Sequence, residues 1–298
     1  MRVLLTGANG FVGKAVQREI TCTPLALGGE EVDVRDAEKL ADAVAEACPD
    51  AVIHLAAQTF VPQSFQQPLE TFQINFLGTF NLLQALKKHQ FRGRFLFVGS
   101  GDVYGAVPAE LLPITEETPI KPRSPYVVSK AAAEALCIQW SQTEQMEIII
   151  ARPFNHIGPG QSDRFVVSSL AKQIVAAKRK GEKPVFCVGD IDVTRDFTDV
   201  RDVVTAYLLL LERGDNGAVY NICSGVERSI RSVFTDLLDL AGIDAEVRLD
   251  ESRIRASEQT RLVGSAEKLR QQTGWQPKIT FSESLNSVLE YWEKLGSC

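Results

Sequence analysis

Short runs of apolar residues alternate with longer segments of mixed polarity along the first half of the chain. The apolar runs predict strands over residues 2–6, 25–27, 32–34, 51–55, 94–98 and 147–151. The mixed segments predict helices over residues 11–21, 37–47, 71–88 and 125–142. Strands that alternate with helices form βαβ units, and runs as apolar as "RFLFV" and "EIIIA" suit strands buried on both faces. The sequence therefore predicts an α/β fold with a doubly wound parallel sheet.

The pattern becomes looser after about residue 154, where Pro, Gly, Asp and Arg are frequent. We expect helices over 166–179, 200–212, 230–241, 266–273 and 282–294, and a run "AVYNI" that returns to complete the sheet. Residues 1–154 plus about 197–222 are thus predicted to form the sheet domain. About 155–196 and 223–298 are predicted to form a smaller, mainly helical C-terminal domain that binds the substrate.

Composition and charge narrow the class of partner. The 298 residues carry a formal net charge of −6, so no global basic field attracts nucleic acid or an anionic membrane. The apolar run Val3–Leu5 ends at Thr6 and Gly7 and is too short for a signal peptide. No apolar run reaches the length of a membrane-spanning helix. Six scattered cysteines without a C-x-x-C pair predict reduced thiols in a cytoplasmic protein, with neither a disulfide framework nor a metal site.

A glycine turn follows the first predicted strand, in "VLLTGANGFVG". Gly7, Gly10 and Gly13 stand at three-residue spacing and open a helix. Such a turn lets a pyrophosphate approach the backbone N–H groups at a helix N-terminus, although glycines at this spacing can also mark only a turn. The strand–turn–helix context favours a Rossmann dinucleotide site. Its expected contacts are Gly7, Asn9, Gly10, Phe11, Val12 and Gly13.

The segment "EVDVRD" is the candidate adenine contact. Asp33 would accept a hydrogen bond from the adenine amino group, with Val34 against the ring, whereas Asp36 would cap the next helix. A carboxylate at the adenosine ribose favours NAD and an arginine favours NADP. Glu30 slightly favours NAD, whereas Arg35 is close enough to bind the phosphate of NADP. The sequence therefore leaves the choice between NADH and NADPH unresolved.

The segment "HLAAQ" follows another buried strand. Leu55 and the small Ala56 and Ala57 would let the cofactor lie across the strand ends. We interpret His54 as a packed histidine rather than a catalytic one.

The segment "SPYVVSKAAAE" carries the candidate catalytic pair. Tyr126 and Lys130 are four residues apart and share one helix face. A neighbouring ammonium stabilises a phenolate, so we expect Lys130 to lower the pKa of Tyr126 and make it a proton donor to a carbonyl oxygen. Ser100, at the end of an intervening strand, completes the candidate set.

The glycine turn, "SGDVYG" and the Tyr126/Lys130 pair together resemble the extended short-chain dehydrogenase/reductases that modify nucleotide sugars. The segments "ARPFNHIGPGQ", "VGDIDVTRDFTDVRDVV" and "VYNICSG" are similar to members that process GDP-mannose, and the resemblance covers essentially the whole chain. It implies NAD(P)H as cofactor and a GDP-linked deoxy-keto sugar as substrate. The implied reaction reduces the C4 keto group of GDP-4-keto-6-deoxy-D-mannose to GDP-D-rhamnose.

The resemblance also implies roles for individual residues. Ser100 would hydrogen-bond the substrate carbonyl, Tyr126 would be the acid, and Lys130 would hold the nicotinamide ribose, with Pro153 near the nicotinamide. The implied substrate contacts are Ser100, Asp102, Asn155, Phe165, Val166, Arg195, Arg255 and Glu258. Arg195 and Arg255 would bind phosphates, although Arg195 lies between two aspartates and could instead form a surface ion pair.

Asp102 separates the reactions that share this scaffold. A 4,6-dehydratase needs a base for elimination, which its members carry as a Glu at this place, and an epimerase-reductase carries a Cys there. Asp is one methylene shorter than Glu, and misplacement of about 1 Å can cost a large rate factor. We therefore predict reduction without elimination, with Asp102 binding a sugar hydroxyl. The dehydratase, another 4-ketoreductase or epimerase, and a catalytically silent NAD(P)-sensing scaffold are the alternatives.

The resemblance further implies a homodimer. Predicted helices 71–88 and 125–142 carry apolar residues on more than one face, and these two helices form a four-helix interface in relatives. Burial of both faces within one chain is the alternative. The configuration of the product at C4, D-rhamnose or 6-deoxy-D-talose, is not determined by the residues.

Overall fold

The computed structural model describes residues 1–181, 184–250 and 260–296. It is an α/β fold with a central parallel sheet, as predicted. The strands are β1 Val3–Thr6, β2 Thr23–Pro24, β3 Ala26–Leu27, β4 Glu30–Glu31, β5 Ala51–His54, β6 Arg94–Val98, β7 Glu147–Pro153, β8 Asn155–Ile157, β9 Val185–Val188, β10 Thr194–Asp199, β11 Val219–Ile222, β12 Glu227–Ser229 and β13 Glu246–Leu249. The helices are α1 Phe11–Glu19, α2 Ala37–Ala47, α3 Val61–Gln66, α4 Pro68–Phe72, α5 Gly78–Lys88, α6 Pro125–Thr143, α7 Val166–Lys180, α8 Val200–Arg213, α9 Ile230–Ala241, α10 Glu267–Thr273 and α11 Phe281–Leu295.

Six strands form the central sheet in the order β11-β7-β6-β5-β1-β2, and all neighbouring pairs are parallel. One face packs on α2, α5 and α6, with Leu40, Leu83 and Trp140 in that core. The other face packs on α1, α8 and α10, with Val16, Tyr207 and Leu269 in that core. Burial on both faces explains why the strands are nearly continuous apolar runs.

The edge strand β11 comes from far along the chain. The segment "AVYNI" pairs with β7, from Val219 opposite Ile150 to Ile222 opposite Pro153, as its composition predicts. Residues 155–218 are therefore an insertion in the chain between two strands that are paired neighbours in one sheet. Apart from the central sheet, β8, β10 and β12 form a three-stranded sheet, and β9 pairs with β13. A third core forms between α7, α9 and α11.

The predicted strand over 32–34 is wrong. Thr23–Pro24 supplies the outer strand beside β1, and the chain then turns back between β3 and β4. Gly28 and Gly29 have φ of 59° and 88°, a left-handed backbone that glycine tolerates. Because of this tight reversal, the extended segment ends at Glu31, before Val32. Val32 and its neighbour Val34 are still buried, at 7% and 5% exposure, so their hydrophobic signal reflects core packing of a loop.

The predicted helix over 71–88 is interrupted rather than regular. A π-helical turn over Gln73–Leu77 joins α4 to α5 with right-handed helical backbone at both joints. Short π-helical turns inside helices are frequent at functional sites. In the part of the chain that the structure describes, no helix has the length and hydropathy needed to span a membrane.

Candidate active site

The glycine turn forms at the carboxyl end of β1. Gly7 has φ of 65°, and a Cβ there would lie 2.9 Å from the Ala56 backbone nitrogen. A Cβ on Gly13 would collide with the Gly7 carbonyl oxygen, so both positions need glycine to pack the first helix against the strand ends. Gly10 precedes α1 in extended conformation and leaves the N-terminal backbone of the helix accessible. Phe11 stacks on His156, with ring centroids 6.0 Å apart.

The neighbouring strand end closes the back of this turn. The Thr6 hydroxyl accepts hydrogen bonds from the Leu55 and Ala56 backbone N–H groups, at 3.1 and 3.0 Å. His54 is bonded through one ring nitrogen to Thr6 and through the other to Thr79. Burial lowers the pKa of His54 to about 3, so the ring stays neutral. His54 is therefore a packed histidine, as interpreted from the sequence.

The segment expected to contact adenine carries an ion pair. The Arg35 guanidinium donates to both carboxylate oxygens of Asp33, at 2.6 to 3.0 Å, and holds the pKa of that carboxyl below its usual range. Val34 packs beside Gly78, and Asp36 caps α2 by accepting from the Lys39 backbone N–H. The capping role expected of Asp36 is confirmed, and the adenine contacts of Asp33 and Val34 stay predictions.

Ser100, Tyr126 and Lys130 lie at the carboxyl end of the sheet. Ser100 follows β6 and its hydroxyl accepts from the Asp102 backbone N–H at 3.2 Å. Ser124 caps α6 and Pro125 opens it, so Tyr126 and Lys130 fall in the first two turns of one helix. All three side chains are buried, and the Lys130 ammonium lies 4.5 Å from the centre of the Phe97 ring.

The electrostatics of Tyr126 differ from the sequence-based expectation. Burial and the charge of Asp102 raise the pKa of Tyr126, and hydrogen bonding with Ser100 only partly offsets this. Burial lowers the pKa of Lys130 to about 8, while Cys137 and Glu134 act in the opposite direction. The expected lowering of the Tyr126 pKa by Lys130 is therefore wrong, because the cost of burying a phenolate dominates.

Asp102 lies within electrostatic range of both Tyr126 and Arg195. Burial raises the pKa of the Asp102 carboxyl, and Arg195 on β10 counteracts that rise. The two aspartates that flank Arg195 in sequence have other partners: Asp192 pairs with Arg231, and Asp196 accepts from the backbone N–H groups of Ser224 and Gly225. The charge of Arg195 acts on Asp102, and its Nη1 atom donates to the Thr194 carbonyl oxygen at 2.7 Å.

The remaining predicted residues lie around this cluster. Pro153 ends β7 and Asn155 begins β8, with the Asn155 Oδ1 atom buried and without a hydrogen-bond partner among the described residues. Phe165 and Val166, at the start of α7, are 37% and 43% exposed, and Phe165 meets the edge of Phe60. Arg255 and Glu258 lie outside the residues that the structure describes.

The sequence interpretation missed Asn75, which connects three parts of the site. Its Oδ1 accepts from the Gln58 backbone N–H at 2.8 Å, and its Nδ2 donates to the Gln58 carbonyl and to the Ser129 hydroxyl. Asn75 thereby ties the π-helical turn to the "HLAAQ" loop and to the residue before Lys130. Gln73, Asn81 and Gln84 are also amides in the predicted helix, so nothing in the sequence distinguished Asn75 from them.

The residues present fit a dinucleotide. A Cβ on Gly10 would have only the Gly7 carbonyl oxygen, at 3.2 Å, within contact distance in the described structure, so a phosphate can approach this backbone closely. The unpartnered Asn155 Oδ1 is a second polar atom that a ligand would satisfy. With Ser100 and Tyr126 at the same sheet edge, the fold and site define an NAD(P)-dependent enzyme of the short-chain dehydrogenase/reductase type.

Comparisons with known proteins specify the family. The family model described as GDP-mannose 4,6 dehydratase matches residues 26–288. The chain is 51% identical to GDP-6-deoxy-D-mannose reductase from Pseudomonas aeruginosa, over 98% of this chain and 97% of that protein. This chain belongs to the GDP-mannose 4,6 dehydratase family, within the extended short-chain dehydrogenase/reductases.

Two solved structures show the same fold at full length. RMD from Pseudomonas aeruginosa complexed with NADPH superposes with a TM-score of 0.93 at 48% identity, covering 99% of this chain and all of that one. UDP-glucose 4-epimerase from Thermus thermophilus in complex with NAD superposes with a TM-score of 0.86 at 30% identity, covering 98% of this chain and 99% of that one. Both comparisons confirm the predicted Rossmann-type fold.

Proposed function

We propose that this chain reduces the C4 keto group of GDP-4-keto-6-deoxy-D-mannose to give GDP-D-rhamnose. The observation that carries the proposal is its identity to a GDP-6-deoxy-D-mannose reductase along nearly the whole of both chains. The convergence of Ser100, Tyr126 and Lys130 at the carboxyl end of the sheet supports the same reaction. A catalytically silent sensing scaffold would not need this convergence of a hydroxyl, a phenol and a buried ammonium.

In this proposal Tyr126 is the proton donor. A bound NAD(P)H would supply the hydride that reduces the substrate carbon. The carbonyl oxygen then needs a proton, and Tyr126 is the acid placed to give it. The raised pKa keeps Tyr126 protonated near neutral pH. Ser100 hydrogen-bonds the same oxygen, and Lys130 holds the ribose beside it.

Asp102 would bind a sugar hydroxyl rather than remove a proton from carbon. Its backbone N–H donates to the Ser100 hydroxyl at 3.2 Å, which holds the short turn that carries the carboxylate. A shorter side chain held in this way has little freedom to reach C5, so elimination is disfavoured. GDP-mannose 4,6-dehydratase activity is the competing function, and it is an outcome of the test below.

The rest of the sequence-based assignment belongs to the same proposal. Residues 1–154 with about 197–222 would bind the dinucleotide, and about 155–196 with 223–298 the GDP-linked sugar. Asn155, Phe165, Val166 and Arg195 would line the sugar-nucleotide side, with Arg255 and Glu258 on the phosphate and ribose. The positive charge of Arg195, which acts on Asp102, would also attract a diphosphate.

A homodimer through the outer faces of α5 and α6 is part of the proposal. Leu77, at the joint before α5, is 45% exposed, and Val128 in the first turn of α6 is 41% exposed. Phe80 and Leu136 on the same helices are only partly buried. These apolar side chains suit a four-helix interface with a second copy. A cytoplasmic location is inferred from free thiols such as Cys137 and Cys223.

The test supplies GDP-4-keto-6-deoxy-D-mannose with NADH or NADPH and follows loss of the reduced nicotinamide absorbance. Product NMR then assigns the configuration at C4. The expected result is cofactor oxidation with formation of GDP-D-rhamnose. No oxidation with either cofactor would refute the reductase, and conversion of GDP-mannose without added keto sugar would identify a dehydratase.

A further inference from the structure

A hydrogen bond joins the glycine turn to the hairpin that follows β2. The Asn9 Nδ2 atom, between Gly7 and Gly10, donates to the Glu31 Oε2 atom at 2.7 Å. Both side chains are exposed at the mouth of the turn, although they are 22 residues apart in the chain. Glu31 ends β4, and the reversal at Gly28 and Gly29 is what brings its carboxylate back to the turn.

In Rossmann folds, the side chain beside the glycine turn that contacts the adenosine ribose decides which dinucleotide binds. A carboxylate about 20 residues beyond the glycines accepts hydrogen bonds from the ribose hydroxyls of NAD, whereas NADP carries a phosphate on the same ribose. A carboxylate and a phosphate dianion at hydrogen-bonding distance repel each other. The sequence pointed to Glu30 for this role, but the structure brings Glu31 to the turn instead.

The basic residues that follow this carboxylate closely in the chain are already engaged. Arg35 and Lys39 are the basic residues between positions 27 and 40. Arg35 donates to Asp33 through Nε and Nη2, and its Nη1 atom lies 3.4 Å from the Glu70 Oε1 atom. Lys39 lies 3.7 Å from Asp36. A ribose phosphate is normally bound by two N–H groups of an arginine, and here those of Arg35 are hydrogen-bonded to Asp33.

We propose that Glu31, held by Asn9, makes this enzyme prefer NADH to NADPH. The inference rests on the proposed function only in requiring a dinucleotide at the glycine turn. It sets this chain apart from the relative solved with NADPH, because a diol rather than a phosphate would satisfy Glu31.

The test measures dissociation constants for NADH and NADPH by fluorescence titration of the wild-type chain without sugar. The expected result is binding of NADH at least about tenfold tighter, a difference of about 1.4 kcal/mol. Glu31→Gln should reduce this ratio, chiefly by tightening NADPH. The matched control is Glu38→Gln, an exposed carboxylate on the neighbouring α2, which should leave the ratio unchanged.

Three results would overturn this proposal while leaving the proposed function standing. The first is wild-type binding of NADPH as tight as NADH or tighter. The second is an unchanged ratio in a folded Glu31→Gln variant. The third is an Arg35→Gln variant that loses NADPH affinity alone, which would mean that Arg35 leaves Asp33 for the phosphate. Preferred binding of NADH without reduction of the keto sugar would leave this proposal standing while refuting the proposed function, and no binding of either dinucleotide would overturn both.

Discussion

Arg152 and Glu134 form an ion pair inside the protein, with side chains 7% and 4% exposed. Arg152 also donates to the Tyr104 hydroxyl at 2.7 Å, and Tyr104 donates in turn to the Asn221 Oδ1 atom. Glu134 lies one helical turn beyond Lys130, and Tyr104 ends the short turn that carries Asp102. The pair therefore connects the two segments that carry the proposed catalytic side chains with the edge strand β11.

Replacing Arg152 with Met should destabilise the fold strongly, because Glu134 would remain buried without its partner. We expect a loss of about 3–5 kcal/mol in the free energy of unfolding, measured by urea denaturation. The matched control is Arg2→Met, which breaks an exposed ion pair with Asp50 and should cost far less stability. Equal losses in the two variants would contradict the structural role of the buried pair.

Replacing Tyr126 with Phe should remove the proposed proton donor and little else. Turnover of the keto sugar should fall by about 10²–10⁴-fold, the usual worth of general acid catalysis, while NADH binding stays close to wild type. Stopped assays by NMR and fluorescence titration measure the two effects separately. Tyr291→Phe, on the remote helix α11, is the control. Retained turnover in Tyr126→Phe would remove Tyr126 from the mechanism.

Cofactor affinity should weaken as the pH rises through about 8. Burial lowers the pKa of Lys130 to about 8, so the ammonium that would hold the ribose is present below that pH and is lost above it. The dissociation constant of NADH should therefore be flat at lower pH and increase above it. Lys130→Met should bind weakly with a flat pH profile, and a flat wild-type profile would contradict this prediction.

Replacing Asp102 with Asn should raise KM for the keto sugar more than it lowers kcat. A lost charged hydrogen bond is worth about 1.5–3 kcal/mol, which corresponds to a change of about ten- to a hundredfold. Steady-state kinetics separates the two parameters, and the exposed Asp42→Asn is the control. A fall in kcat with unchanged KM would instead indicate that Asp102 takes part in the chemical step.

The central sheet was predictable because most of its strands are short apolar runs, and two of them, β1 and β6, are followed directly by glycine. The outer strand was not, since Thr23–Pro24 is too short and too exposed to carry a hydrophobic signal. Val32 and Val34 carried that signal instead, because burial alone does not distinguish a strand from a packed loop. The π-helical turn at Asn75 also escaped prediction, since it leaves the helical period nearly intact.

The site was predictable where its residues are close in sequence, as with Tyr126 and Lys130 on one helix. Glu134 continues that face, four residues beyond Lys130, but its partner Arg152 lies on another strand. The pKa of Tyr126 depends on burial and on Asp102, both products of tertiary packing. Glu31 likewise meets Asn9 only through the turn at Gly28 and Gly29, which the sequence pattern did not position.

The pairing of β11 with β7 has a consequence for synthesis and engineering. A nascent or truncated chain that stops near residue 154 has a complete glycine turn but presents β7, with its run of three isoleucines, as an unpaired apolar edge. Such an edge recruits other strands and aggregates. A new specificity module is therefore better grafted as an insertion within residues 155–218 than exchanged as a C-terminal half.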